Sequence, residues 1–350
     1  MSKNEDFELL VDEINSLDIE NKVDFIFNLH ESLIKKSNIS LLSDRHPNGK
    51  KVLAVGVSGG RTSAFMALYI WLNNKYRDEY EVYFYFCNTG EEEEETLIFV
   101  KNITDIWGIP VIWLEPVFHE YGVGTTHKII DFYTAKREGE PFDEMLQKFP
   151  IPNKSAPNCT RELKERVRHS YITSLGFKDY YTALGIRADE MHRISATADE
   201  RFILYPLALD IKVDEIFIRT WFEKQLFDLG LKDYQGNCNL CFKKSMEKQI
   251  TLMIEHIENG RQEVIFRWIN REEKHSSEKS PRFDLRENIT YRQKYEMACK
   301  IIEGTVKAKR TMDKHDLRKL QETLIIQEGA AIGIPKELMH LKYDCFCKVS

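Results

Sequence analysis

The sequence predicts an α/β protein: a doubly wound parallel sheet preceded by N-terminal helices and followed by a mostly helical C-terminal region. Three observations carry this expectation. Short apolar runs at 52–57, 81–87 and 111–114 alternate with helix-period segments, the pattern of strands joined by crossover helices. These runs are rich in β-branched and aromatic residues, as expected of strands covered on both faces. The chain is also long enough, at 350 residues and 42% hydrophobic, to bury a sizeable core.

Residues 5–36 place Phe7, Leu10, Val11 and Ile14, then Val23, Ile26, Phe27, Leu29 and Leu33, at helical spacing, with acids early and Lys35-Lys36 late, so two helices are expected there. A turn-rich stretch at 44–50 leads into the first strand. That strand runs through Ser58-Gly59-Gly60-Arg61-Thr62-Ser63 into an apolar helix at 64–72. Gly59 and Gly60 allow positive φ and close backbone approach, and Thr62 and Ser63 bring hydroxyls to the helix start. Amides converging on a helix N-terminus suit a phosphate-like anion. Neither G-x-x-x-x-G-K-[ST] nor G-x-G-x-x-G is present, and a plain structural turn is the alternative.

The second strand ends in Asn88-Thr89-Gly90-Glu91 before a helix at 93–106, so this segment and the Ser58 turn both fall beyond strand carboxyl ends, where such folds bind ligands. Asn88 and Thr89 also read as helix-capping residues. After the third strand, residues 115–158 form a long excursion rich in glycine, proline and charge, the composition of a lid or substrate-contacting insert. Cys159 opens a helix beside Arg161 and Lys164, which suits a metal ligand or a nucleophile. A strand at 180–184 leads to Gly185-Ile186-Arg187-Ala188-Asp189-Glu190 and Arg193, arginines for phosphate oxygens and carboxylates for a magnesium ion. A surface salt-bridge cluster has the same composition. An amphipathic helix is expected at 213–226, then Cys238-Asn239-Leu240-Cys241, a metal knuckle where further cysteines reach it. Residues 245–330 read as helical around a polar loop at 275–281.

No run of 18 apolar residues exists and the first residues lack a signal-peptide pattern, so a cytoplasmic protein without a membrane span is expected. Seven cysteines in a reducing compartment favour metal binding or catalysis over disulfides. The net charge of −6 argues against a polyanion partner, but residues 261–320 hold 16 Lys/Arg against 10 Asp/Glu. That stretch is a candidate nucleic-acid face, with solvated helix faces as the alternative.

Together, Ser58–Ser63, Asn88-Thr89-Gly90-Glu91 with Glu95-Thr96-Leu97, Cys159-Thr160 with Leu163-Lys164, Gly185-Ile186-Arg187 with Asp189, Glu190 and Arg193, and Tyr205-Pro206-Leu207 resemble the phosphoadenosine phosphosulfate reductase family. That family belongs to the PP-loop, adenine nucleotide alpha hydrolase-like superfamily, of Rossmann-like HUP type. The resemblance covers about residues 50–245, and the segment 135–159 is similar to reductase-domain proteins often encoded by bacteriophages. It implies that Ser58, Gly59, Gly60, Arg61, Thr62 and Ser63, with Asn88, Thr89, Gly90, Lys164, Gly185, Arg187 and Arg193, hold ATP or an adenylyl sulfate. Iron-sulfur members carry an adjacent cysteine pair and a later C-x-x-C. Here Cys159 and Cys238 stand 79 positions apart, but residue 158 is Asn, leaving Cys345 or Cys347 to join Cys159, Cys238 and Cys241 around a [4Fe-4S] cluster or zinc. Sulfonucleotide reductases end in a Glu-Cys-Gly-Leu-His type motif, whereas this chain ends Asp344-Cys345-Phe346-Cys347-Lys348.

The expected function is therefore that of a PP-loop enzyme splitting ATP between the α and β phosphates, to adenylylate or sulfurate an acceptor, nucleic acid included. Arg187, Asp189 and Glu190 would be catalytic, Mg²⁺ the ion, and a sulfur donor or thiol reductant protein a partner. Adenylyl sulfate reduction and non-catalytic nucleotide or nucleic-acid binding are the alternatives, and a homo-oligomer is compatible with each. The expected organisation is a helical extension at 1–48, a nucleotide-binding domain at 49–245 with its insert at 115–158, and a helical region at 246–350.

Overall fold

Strand β1 (Lys51–Gly56) occupies the middle of a six-stranded sheet, and Leu53, Ala54 and Val55 are fully excluded from solvent. Its neighbours are β2 (Tyr80–Cys87) and β5 (Tyr181–Ala183), both parallel to it. The sheet continues through β3 (Val111–Phe118) and β4 (Thr125–Ile130) on one side and β6 (Ile203–Leu204) on the other, in the order β4-β3-β2-β1-β5-β6. The pairs β2-β3 and β5-β6 are parallel, and β3-β4 is antiparallel.

The computed structural model describes residues 49–120, 124–153, 155–236, 238–278, 282–283, 289–306 and 308–340. The helices expected at 5–36, and Cys345 and Cys347, lie outside the described residues. The described chain forms two compact units. One comprises residues 49–88, 94–135 and 166–231, the other 89–93, 136–165 and 232–340.

In the first unit the alternation of side chains along β1 sends Leu53 and Val55 into one core cluster and Val52 and Ala54 into another, on opposite faces of the sheet. The first cluster receives α1 (Arg61–Leu72), α3 (Glu94–Asp105) and α6 (Glu215–Phe222). The second receives Val167, Tyr171 and Ile172 of α5 (Arg166–Ser174). Helices on both faces make the sheet doubly wound, as the sequence predicts. Helix α1 is apolar nearly all round, and residues Ser63 to Ile70 are all buried, which fits a helix enclosed by its neighbours. A short helix α2 (Asn74–Glu79), capped by Asn73, turns the chain into β2. Helix α6 starts at Asp214, whose carboxylate accepts the Phe217 N–H.

The sheet departs from expectation at one edge. The excursion expected at 115–158 begins as the second half of β3 and then supplies β4, paired from Trp113 with Ile130 to Phe118 with Thr125. Past Leu114, the last residue in register with β2, Pro116 faces only β4, so proline is tolerated there. The polar run Thr125-Thr126-His127-Lys128 carries little apolar alternation, so the sequence holds no local strand signal at this edge.

The second unit is helical: α4 (Glu140–Leu146), a turn at Asn158–Thr160 continuing into a π-turn at Arg161–Glu165, then α7 (Met246–Glu258), α8 (Gln262–His275), α9 (Tyr291–Thr305), α10 (Lys314–Ala331) and α11 (Lys336–His340). Its core stacks Trp268 on Tyr291, with ring centroids 5.5 Å apart, and packs Phe142 and Phe283 around them. Glu272 is buried beneath this cluster and accepts the backbone N–H groups of Phe283 and Tyr291. Among the described residues no helix is long and apolar enough to cross a membrane.

Candidate functional site

The turn between β1 and α1 is closed by one hydroxyl. Ser63 Oγ accepts the Ser58 N–H at 2.9 Å, donates to the Gly60 carbonyl at 2.9 Å and lies 2.9 Å from Ser58 Oγ. Gly59 has φ of +78°, and a Cβ there would stand 2.3 Å from Thr96 Cγ2 on α3. Only glycine fits both constraints. Gly60 caps α1 without a side-chain bond, and the first turn of α1 holds no acid, so the field at its N-terminus is not neutralised locally.

The loop after β5 lies over this first turn because β5 is hydrogen-bonded beside β1. A Cβ on Gly185 would sit 3.5 Å from Thr62 Cγ2 and 3.8 Å from Ser63 N, so the two backbones approach closely. Arg187 Nη1 then donates to Thr62 Oγ1 at 3.3 Å. Its Nε and Nη2 make a two-point contact with Asp189 at 3.0 and 2.9 Å, and Nη2 reaches Glu215 at 3.2 Å. Glu190 bridges Arg187 and Arg193. Arg61 is held by both carboxylate oxygens of Asp228, at 2.5 and 2.7 Å. Hydrogen bonds from Arg187, ahead of other causes, keep the Asp189 carboxyl below its usual range.

Thus Ser58 to Ser63, Gly185 and Arg187, with Asp189, Glu190 and Arg193 beside it, form one constellation in the sheet-bearing unit. Asn88 closes β2 in the same unit, but its amide is committed to structure: Nδ2 donates to Glu115 at 2.7 Å, and the fully buried Glu115 pairs with Lys128 at 2.9 Å. Asp228 and Glu215 join this constellation without a local sequence motif to mark them: Asp228 stands 167 positions from Arg61, and Glu215 is an acid in the first turn of α6.

Thr89, Gly90, Lys164 and the described cysteines other than Cys87 belong to the helical unit, together with Glu91 and Glu92. Thr89 donates to Glu92 at 2.7 Å and lies 3.4 Å from Cys238 Sγ. Gly90 has φ of +77°, and a Cβ there would stand 2.8 Å from Pro141 Cδ. Glu91 is buried against Arg271 and Trp268. Burial first, and then the Glu92 carboxylate, raise the Cys238 thiol well above its usual pKa.

Among the described residues no group of three or more His, Cys, Asp or Glu side chains is placed to hold a metal ion. Cys345 and Cys347, which complete the expected ligand set with Cys159, Cys238 and Cys241, lie outside the described residues. Several cations of the basic stretch 261–320 are paired, mostly with carboxylates outside it: Arg261 pairs with Glu93, Arg267 and Arg271 with Glu91, Arg292 with Glu273, Lys300 with Glu328, and Arg318 with Glu322.

No family model matches the chain. A relative is the uncharacterized nin region protein ORF290 of Escherichia phage lambda, 32% identical over 200 residues, which are 55% of this chain and 67% of that protein.

Proposed function

We propose, for a chain that belongs to the family of the phage lambda nin region protein ORF290, that the Ser58–Ser63 loop binds the phosphates of an adenine nucleotide and that the protein cleaves ATP between the α and β phosphates. The observation that carries this reading is the convergence of two loops on one helix N-terminus. A glycine turn stitched by Ser63 meets the Arg187 guanidinium anchored on Thr62. The adenine assignment draws on the resemblance of these motifs to the PP-loop superfamily.

In this reading the acceptor attacks the α phosphorus and pyrophosphate leaves. Amides of the loop and the α1 terminus stabilise the negative charge that develops on the leaving oxygens. Arg187 and Arg193 neutralise phosphate oxygens, exchanging part of their pairing with Asp189, Glu190 and Glu215 for the nucleotide. Mg²⁺ suits such a site, since it needs only one or two carboxylates when substrate phosphates complete its shell. Asp189, held ionised beside Arg187, is the carboxylate to meet it, and the ion would draw charge from the pyrophosphate oxygens.

The test is pyrophosphate formation from ATP and Mg²⁺ across a panel of acceptors, nucleic acid among them. Formation that falls by about 10²-fold or more in Arg187→Ala, a loss typical of a removed charge-stabilising donor, supports the reading. A folded protein that neither binds ATP nor yields pyrophosphate with any acceptor sinks it.

A further inference from the structure

The segment around Tyr205-Pro206-Leu207 has no part in the phosphate site, yet it walls a separate cleft of about 310 Å³. Tyr76, Tyr80, Asp199, Ile203, Pro206 and Asp210 are among its lining residues. Tyr80 opens β2 in register with Lys51, the first residue of β1, whereas Ile203 and Leu204 of β6 stand level with Ala54 and Val55 through β5, so the cleft spans from the start of β2 to the end of β6. Ser58 to Ser63 are not among its lining residues.

The backbone of this wall is unusual in two respects. Phe202 and Lys212, with φ of 53° and 52°, are the non-glycine residues at positive φ among the described residues, and they bracket β6 and the turn after it. In that turn Pro206–Asp210 forms a π-helical loop that carries Asp210 into the cleft. Strained φ values and π-turns both recur at functional sites, because the surrounding fold must spend stability to keep them.

The lining chemistry selects one kind of ligand. Asp210 accepts a hydrogen bond from the Tyr76 hydroxyl, and Asp199 is exposed at the rim. Against these two carboxylates stands Lys75, whose Nζ is 3.7 Å from Asp210 and whose side chain is 42% exposed. Two ammonium groups of the chain already lie over the cleft's rings, Lys75 at 5.6 Å from the Tyr76 centroid and Lys51 at 6.0 Å from that of Tyr80. The remaining wall is mostly aliphatic, with Ile203, Leu204, Pro206 and Leu209 beside Ser195 and Tyr205. Acid, aromatic faces and a largely aliphatic wall favour a cation with an apolar body.

We propose that this cleft binds a primary ammonium on a short aliphatic chain, the ammonium displacing Lys75 from Asp210 and the chain lying along Ile203 and Pro206. Isothermal titration of the full chain with 1,4-diaminobutane tests it, with 1,4-butanediol as the neutral control. Saturable binding of the diamine and none of the diol is expected. Asp210→Asn should weaken it by about 10-fold or more, as removal of one partner of an inner charge pair does, and the rim variant Asp199→Asn by about threefold. Asp199→Asn keeps the test open if loss of the Tyr76 bond unfolds the Asp210 variant. ATP titrations run beside these read the phosphate loop, so failure here is separable from failure there. Tighter binding of the diamine than of Nα-acetyl-lysine amide assigns a free amine, and the reverse assigns a lysine side chain of another protein. No saturation by either amine, equal binding of the diol, or undiminished binding in both variants overturns the proposal.

Discussion

Gly59 is the residue on which the phosphate loop turns. Its positive φ and the 2.3 Å approach to Thr96 Cγ2 act together, so Gly59→Ala meets backbone strain and a steric clash at once. The variant should lose about 1–3 kcal/mol of stability, from the strain alone at the lower end, read as a lower urea midpoint at constant slope. Adding Thr96→Ser removes the methyl that clashes and should recover only part of the loss, because the φ penalty remains. Full recovery would mean that φ is not constrained as described. At Arg187 the fork matters as well as the charge. Arg187→Lys keeps the cation but cannot hold Asp189 at two points while reaching Thr62. Pyrophosphate affinity measured by titration should therefore fall about 10-fold or more, as the loss of a two-point charge-assisted contact implies. Wild-type affinity in the lysine variant would leave the anchoring of Arg187 without a role.

Among the elements, α7 carries a built-in response to acid. His256 is 3% exposed and its Nε2 lies 2.7 Å from Asn239 Oδ1, while Asn239 Nδ2 donates to Glu93. Burial first, and then Arg261, lower its pKa from 6.5 to about 4. The unfolded chain therefore takes up a proton in this window that the folded chain refuses, so stability is lost as pH falls from about 6.5 towards 4, by on the order of 3 kcal/mol. Glu272 responds in the opposite sense, since burial raises its carboxyl and favours the protonated folded form. Urea unfolding at pH 7.5 and 5, compared between wild type and His256→Gln, isolates the histidine. The variant should lose less stability across that interval than the wild type, and equal losses would show that His256 does not titrate as stated.

Across the whole molecule, the sheet was legible where buried parallel strands leave local signals. The runs at 52–57 and 81–87 are apolar because both faces are covered, and Gly59 and Gly185 mark backbone that must bend or approach closely. Strand β4 was not legible, because an edge strand needs little apolar alternation and its pairing with β3 is a tertiary fact. Arg61 with Asp228, and Asn88 with Glu115, likewise join residues far apart in sequence. The cysteine spacing points to a cluster whose terminal members, Cys345 and Cys347, lie outside the described residues, while Cys238 is buried beside Thr89 and Glu92. The loop is stitched by Ser58, Gly60 and Ser63 and packed by Thr96, all in the sheet-bearing unit. Replacing Cys238 and Cys241 with serine should accordingly leave ATP affinity within about twofold, less than 0.5 kcal/mol. A larger loss would tie the thiols to the nucleotide site.

The most direct measurement of the central claim is an equilibrium titration of the full chain with ATP and Mg²⁺, repeated with pyrophosphate as competitor and with Gly59→Ala and Arg187→Ala. The expected result is saturable binding that pyrophosphate displaces and that each substitution weakens by about 10-fold or more, 1.4 kcal/mol. ATP binding that ignores pyrophosphate and survives both substitutions, or no binding by the folded protein, would contradict it.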